Sequence, residues 1–131
     1  MEMEVYFPGK KKVYARYKGF VVETDQPISA GGDNAALSPF DLFLVSIGTC
    51  AGFFVLSFMQ ERGLSTEGAG VILRTERDAE TRLISKIFME IKLPAGFPEK
   101  YRDAVIRTAE QCTVKRHLDN VPSFETYTTI G

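Results

Sequence analysis

The sequence predicts an α+β chain in which antiparallel sheets pack on two main helices, in the order βββ-α-ββ-α-β. Three observations carry that expectation. Apolar and polar residues alternate in short runs near the N-terminus and again around residue 87, residues 42–59 contain no charge at all, and a second stripe at helical spacing begins after Pro98. A chain of 14.6 kDa should fold to an accessible surface of about 6,900 Å², enough for one real core, so a single domain over residues 1–131 is expected.

Taken in order, Met3, Val5 and Phe7 alternate with Glu2, Glu4 and Tyr6 before Pro8-Gly9 turns the chain. Val13, Ala15 and Tyr17 form a second alternating run up to Lys18-Gly19, and Phe20 to Thr24 reads as a third strand. Asp25 to Leu37, with its Gly31-Gly32 pair, reads as a loop that is either mobile or engaged in a subunit contact. Ser38-Pro39-Phe40-Asp41 then supplies an N-cap, a proline at the first helical position and an acid three residues after the cap. Asp41 is thereby explained as a capping residue. At 100° per residue it also lies about 180° from Cys50, a poor position for acid–base partnership.

After the long helix, Gly68 to Asp78 and Arg82 to Leu93 read as a hairpin. Leu83, Ser85, Ile87, Met89, Ile91 and Leu93 fall on one face, with Lys86, Glu90 and Lys92 on the other. Pro98 opens a second helix in which Tyr101, Val105, Thr108/Ala109 and Cys112 share the buried stripe, and Ser123 to Ile130 reads as a closing strand.

The uncharged run Leu42 to Met59 is long enough to raise the question of a membrane span. Six of its residues are Ser, Gly, Thr or Cys, no Lys/Arg cluster flanks it, and the neighbouring strands need a core partner, so a buried helix is expected instead. A helix apolar on every side must be covered on every side, and a chain this short hardly suffices. The missing cover is most simply a second copy, with Gly48, Ala51 and Gly52 permitting close approach. Dimerisation is thus expected from burial alone. The 16 basic and 17 acidic residues give no charge excess for nucleic acid. Two cysteines are too few for a secreted disulfide framework, and the N-terminus does not have the charge order of a signal peptide, so a cytoplasmic protein is expected.

Cys50 sits near the middle of the long helix, and the side chains nearest its azimuth are Phe43, Ser46, Ile47, Phe53, Phe54 and Ser57. Most isolated buried cysteines are small apolar fillers. Burial raises a thiol's pKa, so reactivity here calls for a cation from another element. Arg16, Arg116 and the Lys10 to Lys12 cluster are the candidates. His117, the sole histidine, reads as a solvated helix-end residue rather than a catalytic base.

Ser38-Pro39-Phe40-Asp41-Leu42 followed by Gly48-Thr49-Cys50, then Ala109-Glu110-Gln111-Cys112, Asn120 and a terminal strand, together resemble the OsmC/Ohr family of thiol-dependent hydroperoxide reductases. The resemblance spans nearly the whole chain and implies an intertwined homodimer. It also implies that Cys50 stands in the place of the peroxide-reacting thiol and Cys112 in that of the resolving thiol. Where family peroxidases have a Glu ten residues before the first cysteine, paired with an Arg from the N-terminal hairpin, this chain has Phe40. It therefore resembles the looser OsmC-like branch, with Arg16 as the candidate activating cation.

The function this implies is reduction of organic hydroperoxides through Cys50 and Cys112, with no metal or organic cofactor and an external dithiol as reductant. Phe43, Phe53 and Phe54 would favour an apolar hydroperoxide, since a bulky substituent gains burial there that hydrogen peroxide cannot. The alternatives are a non-catalytic module binding an apolar, acyl or sulfur-bearing small molecule in the same cleft, and a structural dimer with inert thiols. Neither nucleic acid nor membrane is expected as a partner.

Overall fold

The computed structural model describes residues 2–131. Its elements are β1 (Glu4–Gly9), β2 (Lys12–Tyr17), β3 (Phe20–Thr24), α1 (Pro39–Glu61), β4 (Gly70–Arg77), β5 (Ile84–Lys92), α2 (Arg102–Ala109) and α3 (Thr113–Asp119), with 3-10 turns at Ile28–Ala30 and Glu99–Tyr101. Helices and two small antiparallel sheets give the α+β class that the alternation and the two helical stripes predict. The chain divides into two compact units, residues 1–45 and 46–131.

In the first unit β1, β2 and β3 form a meander in that order. Lys18 and Gly19 both have positive φ, 51° and 81°, making a two-residue turn of the kind that matches strand twist, and they pair Tyr17 with Phe20. The loop after β3 gathers its backbone around a buried carboxylate. Asp25 is 1% exposed, and its carboxylate accepts backbone N–H bonds from Gln26 at 2.8 Å, Ala35 at 3.0 Å and Asp33 at 3.3 Å. Those bonds hold the Asp25 carboxyl below its ordinary range, the Ala35 N–H contributing most. Gly32 is required by a close approach: a Cβ there would fall 2.0 Å from the Gln26 carbonyl oxygen.

The second unit has the hydrophobic core. On α1 the residues Ala51, Val55, Phe58 and Met59 are buried with Val105 and Ala109 of α2, against half-buried Val71 of β4 and Met89 and Ile91 of β5. Apolar spacing along α1 thus gives a covered stripe on one side. Among the described residues α1 is also the helix long and apolar enough to cross a membrane, and in this fold that stripe serves the core.

Three expectations are corrected. The hairpin alternation holds for Ile87, Met89 and Ile91, but Leu83 is 69% exposed and Ser85 is exposed. A register shift between Glu76 and Arg77 pairs Arg77 with Ile84 and ends the two-residue period there. The second helix is two short helices, because Cys112 adopts an extended backbone (φ −59°, ψ 143°) and caps α3 instead of continuing α2. The closing strand from Ser123 to Ile130 does not form. Phe124 is 90% exposed and Tyr127 79% exposed, and a strand without a partner edge has no ladder to satisfy its N–H and C=O groups.

Candidate active site

The start of α1 is fixed by its cap. The Ser38 hydroxyl accepts the Asp41 N–H at 3.2 Å, with Pro39 at the first helical position. Asp41 completes the first turn as the acid nearest the N-terminus. Twelve positions into the helix, α1 presents Cys50 at the edge of its buried stripe, half-buried between buried Ile47 and Ala51.

Cys112 lies in the same unit, two turn residues beyond the end of α2. It is fully buried, and its sulfur accepts the Lys115 N–H at 3.3 Å as the N-cap of α3. Ala51, next to Cys50 on α1, and Ala109 of α2 belong to one core cluster, so the two cysteines stand in the same part of the unit. Burial pushes the Cys112 thiol above its ordinary value; the Lys115 N–H opposes that rise, and neighbouring Cys50 adds to it. Both cysteines are free thiols. The two thiols, 62 positions apart in the chain, are thus unlike: Cys50 is half-buried and Cys112 fully buried.

The remaining site residues are placed as follows. Phe53 and Phe54 meet edge to face with ring centroids 5.6 Å apart, Phe54 half-buried and Phe53 60% exposed. Phe43 lies in the first unit, tilted against Phe40 at 5.6 Å. Arg16, also in the first unit, is paired with Glu4, its cross-strand neighbour, and its guanidinium lies 4.4 Å from the centre of the Tyr6 ring. His117 Nδ1 lies 2.7 Å from the Thr113 carbonyl oxygen on the exposed side of α3. Among the described residues no three or more His, Cys, Asp or Glu side chains cluster as a metal site would require.

The second unit also has a partly open, largely apolar cavity of about 490 Å³. Ile47 and Ala51 of α1, Met89 of β5, Ile106 of α2 and Leu118 of α3 line it, with Lys115 among the charged residues on its wall. Sequence reasoning missed this space and missed Lys115. A backbone donor leaves no trace in residue identity, so the one readable signal was position: Lys115 stands three residues after a cysteine that precedes a helix.

A family model described as OsmC-like protein matches residues 31–126. No curated protein matches the chain. Among solved structures, the fold is similar to a Psychrobacter arcticus protein named for osmotic stress induction and a detoxification response. That pair has 21% identity and a TM-score of 0.73, covering 87% of this chain and 85% of the other. An OsmC like protein from Mycoplasma pneumoniae has 10% identity and a TM-score of 0.71, covering 92% and 87%. An organic hydroperoxide resistance protein OsmC from Legionella pneumophila has 15% identity and a TM-score of 0.57, covering 89% and 87%. At these identities the likeness concerns the fold.

Proposed function

The chain belongs to the OsmC-like family, and we propose that it reduces organic hydroperoxides through Cys50 and Cys112. Membership suggests a redox-stress role, and a structural neighbour is named for organic hydroperoxide resistance. The observation that supports the finer reading is the placement of half-buried Cys50 and fully buried Cys112 around one core, in which Ala51 of α1 and Ala109 of α2 belong to the same cluster. The greater exposure of Cys50 supports one order of events, in which a peroxide arriving from outside meets Cys50 first. The Cys50 thiolate attacks the distal peroxide oxygen, the O–O bond breaks and the alcohol leaves after taking a proton. Cys50 is then a sulfenic acid. Cys112 condenses with it, the S–O bond breaks, water leaves, and a disulfide forms. An external dithiol restores both thiols. A Cys112 thiol kept protonated by burial suits this order, since it can donate to the Cys50 sulfur until the condensation step.

The cycle requires no metal or organic cofactor. Phe53 and Phe54 on α1, with Phe43 about three turns earlier on the same helix, supply apolar surface for the organic substituent, and Arg16 is the proposed cation for Cys50. We read residues 1–131 as one domain of a cytoplasmic homodimer. The chain by itself exposes 10161 Å² against about 6,900 Å² for a folded monomer of its mass, and a second copy is the simplest cover for the difference.

One equivalent of cumene hydroperoxide should consume both thiols and yield an intramolecular disulfide, while Cys112→Ser should trap a sulfenic acid on Cys50. If neither thiol reacts faster than free cysteine, the apolar cavity favours the second reading, a non-catalytic module for an apolar or acyl-bearing small molecule.

A further inference from the structure

Two roles meet at Cys112. Its sulfur caps α3 by accepting the Lys115 N–H, and it is the thiol proposed to bond Cys50. The helix it caps is short: Thr113–Asp119 is seven residues with none of them buried. A helix of that length has little stability of its own, because nucleation is costly and few bonds follow it. Its first turn is held by the Cys112 sulfur and by the Arg116 N–H bond to the Cys112 carbonyl at 3.0 Å. The other helices do not depend on a sulfur in this way; α1 is capped by a serine hydroxyl and carries much of the core stripe.

We infer that oxidation of the thiol pair uncaps α3, so that disulfide formation loosens Thr113–Asp119 and opens the wall of the cavity that Lys115 and Leu118 provide. The inference rests on the proposed pairing of Cys50 with Cys112. In the oxidising step the hydroperoxide takes two electrons from the pair: its O–O bond breaks, alcohol and water leave, and one S–S bond forms. The Cys112 sulfur then points along a covalent bond to Cys50 and, as a disulfide sulfur, is a weaker acceptor for the Lys115 N–H. Cap loss frees the first turn of a helix with no buried residue to hold it. The consequence is directional. Reduced Cys112 is sealed at 0% exposure, which protects it from direct oxidation; once bonded to Cys50 it becomes reachable by the external dithiol that must break the disulfide.

Amide hydrogen exchange over residues 113–119 tests this, with disulfide formation followed separately by mass. Reduced wild type and Cys112→Ser, which keeps a capping oxygen but cannot form the disulfide, should protect α3 equally, and hydroperoxide should leave the protection of Cys112→Ser unchanged. Disulfide wild type should exchange roughly fivefold faster in α3, the factor expected for loss of one cap, and reduced Cys112→Ala should match it. The disulfide is prepared with cumene hydroperoxide and, in parallel, with diamide. If only diamide joins the thiols and α3 loosens, the hydroperoxide reading fails while the uncapping stands. A disulfide form whose α3 exchanges as slowly as the reduced protein overturns the inference, whatever oxidant made it. Failure of both reagents to join the thiols overturns both readings. Cys112→Ser and the two redox states of wild type carry the test even if Cys112→Ala does not fold.

Discussion

The two units solve the burial problem in opposite ways. In residues 46–131 the buried side chains are apolar, from Ile47 through Met59 to Val105, Ala109 and Cys112. In residues 1–45 the buried side chains among those described are Thr24 and Asp25, both polar, while Val5, Phe7, Phe20, Val21 and Val22 on the three strands are 42–81% exposed. The reason is supply. The second unit has α1 and α2 to lay over the half-buried face of its hairpin, whereas the meander has no helix of its own beyond the first turns of α1. What orders the first unit is a carboxylate gathering backbone donors, and its apolar faces are left for a cover that the unit does not itself contain.

That contrast can be broken at several points. The largest effect is expected in the second unit, where Met59→Ala should cost about 3 kcal/mol in urea unfolding, since Met59 is fully buried and the change leaves a cavity in packed surroundings. The next concerns the cover. Light scattering should give twice the 14.6 kDa chain mass, and Gly52→Leu should weaken the dimer by about 1–3 kcal/mol through overpacking. A Cβ at Gly52 meets nothing within 4 Å in the chain itself, so a stable monomer, or a Gly52→Leu dimer of undiminished affinity, would refute a second copy packed there.

A smaller effect is expected for Arg16→Met. It should slow the reaction of Cys50 with cumene hydroperoxide by about tenfold in stopped-flow measurements, corresponding to roughly 1.4 kcal/mol of lost charge stabilisation. Glu4→Gln, which removes the ion-pair partner of Arg16, should leave the guanidinium charged and change the rate less. An unaltered rate in Arg16→Met would transfer the activating role to Arg116 or Lys10 to Lys12. The smallest effect near neutral pH belongs to Asp25. Its folded pKa is lowered by the Ala35, Gln26 and Asp33 N–H groups, so its contribution is fully present above the ordinary carboxylate value of about 3.9 and is lost as pH falls through the lower folded value. Thermal unfolding should therefore be flat with respect to this group from pH 7 to 5, with an acid-side loss that Asp25→Asn removes.

Much of the fold was legible because its signals are local. Alternation placed the strands, and Ser38-Pro39 with an acid at Asp41 placed the start of α1 to the residue. Spacing after Pro98 put Cys112 on the inward side, although the chain there breaks into two helices, because an inward direction survives a break that periodicity alone does not reveal. The closing strand failed for a complementary reason: Ser123 to Ile130 has strand composition, but composition cannot supply the neighbouring edge. Asp25 was passed over as part of a loop, since nothing in the identity of an aspartate announces that three N–H groups will converge on it.

By itself the sequence determined five of the strands, the start of α1, the balance of charge and the family resemblance, all properties of short stretches read by period, composition and motif. Only the tertiary structure decided that Cys50 is the half-buried thiol and Cys112 the hidden one, and that the hidden sulfur caps a helix. Those facts depend on how α1 and the α2–α3 junction pack around one core, and burial set by packing is something no local pattern encodes.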